Sequence, residues 1–419
     1  MKQNRRTFVR AAAAAAAVPV IPSAQAQDAK LIKLGMCQDF TVVYTFVTAE
    51  YSQGQRDYFT MINERGGIKG FKFQLDIVDT GNATQRGIEA YERFKREGVV
   101  LVDPLSTPVS RALVPRALAD KINLVTTFSG RSDAADGEAF PYVMPLSPSY
   151  WSQAAVLVDY MRKQEKGLKG KKVALVHIDT PFGREPITLL QVLAKRHDFE
   201  FQTFPYPPPG TEQSAVWTQV RRLKPDWVMI WGAGAGQIAS LKEAARNGIP
   251  MDRIASVVWM SESEMNVVGV DAAKGVLKFE GVAGGREPKI IQAIQNEVVA
   301  KGKGVGKPEI VGTTYYNIGV MAAALIAEGA RLAIDKNPKG PITSEQLNEG
   351  LRSIKNFTAE GMLPPVTITK ADHQGGGRGR VAQWDGKRWV PKSDWMAADQ
   401  DVIWQMIRTS SSDFKKSGK

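Results

Sequence analysis

Two short polar clusters carry the chemistry that this chain offers. Ser106-Thr107-Pro108 follows the apolar run Val99-Val100-Leu101-Val102, and Asp179-Thr180-Pro181 follows Lys172–Ile178. Each cluster ends a strand-like segment and opens a helix-like one, with a hydroxyl or carboxylate to cap it and a proline in the first turn. The unpaired N–H groups of such a helix start attract anions, a carboxylate among them. In open α/β sheets, ligands bind outside the carboxyl ends of the strands. A third cluster, Ser129-Gly130-Arg131, ends the next strand-like run, Ile122–Phe128, and arginine is suited to bidentate carboxylate binding. Thr107 is expected to cap the helix that begins at Pro108.

Other chemistries find little support. His177, His197 and His373 are scattered and share no metal-ligand spacing. No nucleophile elbow and no Walker loop are present. Asp103 and Asp179 sit at strand ends, where aspartate usually serves turns and helix starts. Gly232-Ala233-Gly234-Ala235-Gly236 follows a buried strand, with Glu262 at the end of the next one. The run lacks the third glycine of a dinucleotide fingerprint, so a nucleotide-dependent enzyme remains only an alternative. No cofactor or metal is expected. Cys37 is the single cysteine, so no intrachain disulfide forms, and it reads as a small buried apolar residue.

These clusters need a frame. The chain of 419 residues is 43% hydrophobic, as in ordinary soluble proteins. Its net charge of +12 speaks to solubility and association rather than to fold. No basic helix interleaved with aromatics suggests nucleic acid. Strand-like and helix-like segments alternate from Leu31 in two blocks, near 28–146 and 150–275. A helical stretch follows (Lys289–Lys301, Thr313–Ile334, Ser344–Lys355) and must pack back onto an earlier block. Short strands are expected at Val366–Thr369 and Val381–Trp384. The tail from Ser410 is polar and basic and reads as disordered. The N-terminus carries a basic segment with Arg5-Arg6, a short apolar run Ala11–Ile21 and Ala24-Gln25-Ala26. This predicts an export signal over residues 1–26 of twin-arginine type, with cleavage near Ala26 and a periplasmic mature protein. No later segment reads as a membrane span.

The chain resembles the periplasmic solute-binding proteins of ABC importers, in the branch typified by the leucine/isoleucine/valine-binding protein. The resemblance rests on Asn63-Glu64-Arg65-Gly66-Gly67-Ile68-Lys69-Gly70, on Ser106-Thr107, on Asp179-Thr180-Pro181-Phe182-Gly183 and on Thr314-Tyr315-Tyr316-Asn317-Ile318-Gly319. It implies an α/β type I periplasmic binding fold. Two Rossmann-like lobes would be joined by three crossovers, with ligand in the interlobe cleft. Lobe 1 would hold 28–146 and 283–361, and lobe 2 would hold 147–282 and 362–395, leaving 396–419 as a C-terminal helix or tail.

The resemblance also implies site residues. Tyr44 takes the place of the first loop's aromatic. Ser106 and Thr107 are the hydroxyl pair for a ligand carboxylate, and Ser129, Gly130 and Arg131 form the loop after the next strand. Phe182 stands where the family has tyrosine. Gly234 or Ala235 stands where a lobe 2 aromatic is usual. Glu262, or else Glu264, would meet an amino group. Tyr150-Trp151 put bulk at the first crossover, and Trp151 joins the expected lining. A small carboxylate with an apolar or aromatic body is expected, bound by a monomer that closes like a hinge and serves ABC permease subunits. The rival in the same fold is a ligand-sensing domain.

Overall fold

A computed structural model describes residues 30–417. The expected export signal and its cleavage site lie outside the described residues. The first sheet is built from β1 (Leu31–Gln38), α1 (Thr45–Glu64), β2 (Lys72–Asp79), α2 (Thr84–Arg96), β3 (Leu101–Pro104), α3 (Thr107–Asp120), β4 (Asn123–Val125) and β5 (Val143–Met144). All its strands are parallel, in the order β2-β1-β3-β4-β5. The turn between α1 and β2 uses Gly66 and Gly67 at φ +92° and +77°, a region that glycine enters without steric cost. That local need explains the paired glycines.

The chain then crosses into the second sheet through α4 (Tyr150–Gln164), β6 (Lys172–Ile178), α5 (Pro181–Arg184), α6 (Ile187–His197), β7 (Glu200–Tyr206), α7 (Ser214–Leu223), β8 (Trp227–Trp231), α8 (Gly234–Arg246), β9 (Ile254–Ser256), α9 (Glu262–Val268) and β10 (Leu277–Glu280). β7-β6-β8-β9-β10 repeats the parallel order of the first sheet. The central strands β6 and β8 are buried almost throughout, which matches the apolar runs Val173–Val176 and Trp227–Trp231.

The late helical stretch returns to lobe 1. α10 (Lys289–Ile294) and α11 (Thr314–Lys336) lie against α1, and α12 (Ser344–Leu351) packs on α11 and β4. α11 is long and apolar enough by composition to cross a membrane, contrary to the sequence expectation, but 83% of that window is buried inside the protein. The chain crosses again to add β11 (Arg380–Trp384) and β12 (Trp389–Pro391), both antiparallel, to the edge of the second sheet. Val366 contributes only an isolated bridge to Phe357 instead of the expected strand.

The C-terminal segment corrects the expectation of disorder. α13 (Gln400–Ser417) is helical, with Ile403, Ile407, Ser411 and Phe414 on its buried face. Their spacing of four, four and three is one helical stripe. Asp401 pairs with Arg196 of lobe 2 at 2.7 Å, while Ser410 and Ser411 each donate at 2.6 Å to Asp133 and Asp136 of lobe 1. The helix therefore straps one lobe to the other.

Candidate functional site

The carboxyl ends of both parallel sheets face one another, and a cavity lies between them. Tyr44, Val47, Leu105, Ser106, Thr107 and Ser129 line it from lobe 1, and Tyr150, Phe182, Ala233 and Trp259 line it from the lobe 2 side. Its walls are mainly aromatic. The Phe182 ring stands 5.2 Å from Tyr150 and, across the cleft, 6.2 Å from Tyr44. The Trp259 Nε1 donates to the Tyr150 hydroxyl at 2.9 Å and to the Phe128 carbonyl of lobe 1 at 3.2 Å. No charged side chain is among the lining residues. The cavity amounts to about 30 Å³, room for one or two water-sized groups. A larger solute enters only if the lobes part.

Local structure places each wall. After β1, the Asp39 carboxylate accepts the backbone N–H groups of Thr41, Val42, Val43 and Tyr44 at 2.8–3.3 Å. This carboxylate-centred turn turns Tyr44 into the cleft. After β3, the helix cap is Ser106 rather than Thr107: its backbone is extended, and its Oγ accepts from Val109 N at 3.3 Å. The Ser106 hydroxyl donates to Asn82 Oδ1 at 2.5 Å, so its proton is already used. Thr107 Oγ1 accepts from Gly130 N at 3.1 Å, and its own proton can turn to the Tyr150 hydroxyl or into the cavity. The Ser129 hydroxyl is buried without a described partner, and the buried Tyr44 phenol stands beside the Thr180 hydroxyl. Burial holds the phenols of Tyr44 and Tyr150 neutral, with their pKa values raised. Near neutral pH the cavity thus presents hydroxyl donors and the first turn of α3, a combination that favours an anionic group.

Several expected residues stand elsewhere. Arg131 does not line this cavity. Its guanidinium holds Asp133 through two bonds of 2.6 and 2.7 Å and lies between the rings of Phe140 and Phe414, 4.9 and 4.6 Å away. It borders a separate polar cleft with Arg111, Trp151, Arg184 and Glu185. Trp151 faces the same cleft and donates to the Glu185 carbonyl at 3.0 Å, so the lining aromatic is its neighbour Tyr150. Gly130 serves through its N–H to Thr107. Gly234 is not among the lining residues and faces Val43 of lobe 1 instead, so Ala233 is the residue that reaches the cavity. Glu262 is outside as well: it accepts from Thr314 N at 2.8 Å and from Ser261 Oγ at 3.1 Å. Glu264 is fully buried and accepts from Gly234 N, Ser261 N and the Tyr315 hydroxyl at 2.6–2.7 Å. Neither glutamate belongs to the lining.

The glycine run Gly232–Gly236 is explained by packing. A Cβ at Gly232 would lie 2.3 Å from the Tyr206 hydroxyl, and one at Gly236 would lie 3.1 Å from it. Asp103 is a core group: Tyr51 and Gln55 donate to it at 2.6 and 2.7 Å, and burial pushes its carboxyl up to about 6. Trp259, Tyr150, Val47, Leu105 and Ala233 were not among the expected lining. Tyr150 was legible as bulk at the crossover. For Trp259 the only signal was its place near the end of the strand-like run Ile254–Met260.

The burial of Arg131 sets an expected result. Arg131→Ala should cost about 3 kcal/mol of stability in denaturant unfolding, because it leaves Asp133 buried without its partner. It should leave solute affinity within about threefold of wild type, since the guanidinium is occupied away from the cavity.

Two lobes of parallel order 2-1-3-4-5, linked by repeated crossovers and enclosing a cavity between their strand ends, define a solute-binding protein of the type I periplasmic fold. The model of the family described as periplasmic binding protein matches residues 31–388, and the chain belongs to that family. A structure from the Pseudomonas fluorescens group, described as an ABC transporter permease, is 34% identical with TM-score 0.85 over 93% of this chain and 98% of that one. A branched-chain amino acid ABC transporter protein of Thermus thermophilus with bound valine shares the fold at TM-score 0.79 and 20% identity, over 90% of this chain and 98% of that one. A Leu/Ile/Val-binding protein homologue of Brucella melitensis is 22% identical over 303 residues, 71% of this chain and 80% of its own length. The family is one of substrate-binding proteins and not of enzymes, and it is extracytoplasmic.

Proposed function

We propose that this chain is the exported solute-binding component of an ABC importer, and that its solute is a small carboxylate with an apolar or aromatic body and no ammonium group. The observation that carries this reading is the lining itself: four aromatic rings, a Thr107 hydroxyl whose proton is free to turn inward beside the buried Ser129 hydroxyl, and no acid. Magnitudes favour the carboxylate over an amino acid. Hydrogen bonds to a charged group contribute about 1.5–3 kcal/mol each, and the helix start adds up to ~2 kcal/mol. An ammonium group buried here would lose several kcal/mol of hydration. Ring faces return about 2 kcal/mol of that loss. Closure over the solute is supported by contacts between the lobes. Arg111 of α3 pairs with Glu185, whose carboxylate also accepts from Ser132 N at 2.7 Å. A permease can then distinguish the closed shape from the open one.

A thermal-shift comparison tests the reading. At a hundred times its Kd, a ligand stabilises the folded state by about 2.7 kcal/mol. 3-Phenylpropanoate is expected to raise the melting temperature by a few degrees in this way, and its amide far less. Equal shifts from acid and amide would remove the carboxylate from the account. Stabilisation by a nicotinamide dinucleotide alone would remove the transport reading.

A further inference from the structure

The acids expected to meet an amino group are engaged in a seam between the lobes, beside the cavity and outside it. Glu50 of α1 is 4% exposed. Its carboxylate accepts from Ser261 at 3.2 Å, from Thr313 at 2.6 Å and from Ser263. Ser261 and Ser263 belong to lobe 2, so these bonds exist only while the lobes are together. Glu264, from the same stretch of lobe 2, accepts the hydroxyl of Tyr315, which α11 supplies from lobe 1. Two acids of opposite lobes thus bond across one seam, each to hydroxyls of the other lobe.

The charged and titratable groups that face this seam come from six elements. They are Glu50 from α1, Glu262 and Glu264 from α9, Tyr315 from α11, Tyr206 from β7, and Lys278 from β10 with Glu280 and Arg380 behind it. Lys278 is a buried cation close enough to Glu262 and Glu264 to feel their charge. Its ammonium is directed at the Met260 carbonyl and the Thr314 hydroxyl, and not at a carboxylate. Glu50 and Glu264 are therefore brought together without a bonded cation.

We propose that Glu50 and Glu264 form a proton-dependent clasp that favours lobe closure without touching the solute. The chemistry of the partners supports it. A hydroxyl can donate to a carboxylate or accept from a carboxylic acid. Ser261, Ser263, Thr313 and Tyr315 can therefore rotate to keep their bonds when the acids are protonated, while the like charges vanish. Burial raises the pKa of Glu50, and raises that of Glu264 to about 7. A carboxyl whose pKa is raised on closing takes up a proton on closing, so closure strengthens as pH falls from about 7 toward the ordinary glutamate value. The inference rests on the hinge closure of the preceding reading but not on the identity of the solute.

Small-angle X-ray scattering of the protein without solute, at pH 8.0 and pH 5.5, tests it. The wild type is expected to shift to a smaller radius of gyration at pH 5.5. The Glu50→Gln/Glu264→Gln variant is neutral at both positions and should be compact at both pH values. Glu50→Ala, which removes the acceptor, should be the more extended at both. A wild-type radius that does not change with pH, or a pH response that persists in the double glutamine variant, would overturn the clasp. Because no solute is added, failure of the carboxylate reading leaves this result standing. A clasp that fails likewise leaves the solute comparison intact.

Discussion

Trp259→Ala is expected to weaken solute binding about a hundredfold, measured by calorimetric titration with 3-phenylpropanoate. The indole is 4% exposed and forms one wall of the cavity. It also holds the two lobes in register, through one N–H shared between Tyr150 and the Phe128 carbonyl. Truncating a central aromatic anchor typically costs 2 kcal/mol or more of binding, and about 2.8 kcal/mol corresponds to a factor of a hundred. The same truncation removes about 3–5 kcal/mol of fold stability. Trp259→Phe therefore provides the cleaner arm: it keeps a ring, loses the N–H, and should lose roughly tenfold in affinity. Unchanged affinity in both variants would place the solute away from this wall.

The second large effect concerns the frame. Gly319 of α11 faces Tyr51 of α1, and a Cβ there would lie 2.1 Å from the Tyr51 carbonyl oxygen. Gly54 makes the reciprocal approach, with its Cβ position 2.2 Å from the Tyr316 carbonyl oxygen. The two backbones touch, and no side chain can turn out of the way. Gly319→Val forces the helices apart and should destabilise the protein by about 3 kcal/mol or more, a large share of a typical domain's total. Urea unfolding read by far-UV circular dichroism would show the loss as a lower midpoint with the slope unchanged.

These two sites mark what the sequence could and could not reveal. The central parallel strands were legible because the unbroken runs Val173–Val176 and Trp227–Trp231 have no polar face to offer water. The return of α11 to lobe 1 was legible because the late helices had no sheet of their own. The cap was misplaced by one residue, since Ser106 and Thr107 carry the same hydroxyl. Only the extended backbone at Ser106 selects between them. Arg131 was misread for a different reason: Asp133 lies two residues away, but Phe414 comes from the far end of the chain. The basic composition of that end hid an apolar stripe of one residue per turn. Ser261-Glu262-Ser263-Glu264 carries the S-x-x-E pattern of a capping box, and the structure shows that box formed. Read that way, the pattern would have removed Glu264 from the candidates for an amine.

The central claim is that the cavity recognises a carboxylate and excludes an ammonium group. Calorimetric titration with 3-phenylpropanoate and with L-phenylalanine, which differ by the amine alone, tests it most directly. Binding of 3-phenylpropanoate at one site per chain, at least about tenfold tighter than L-phenylalanine (~1.4 kcal/mol), is the expected result. L-Phenylalanine binding as tightly or more tightly would contradict it.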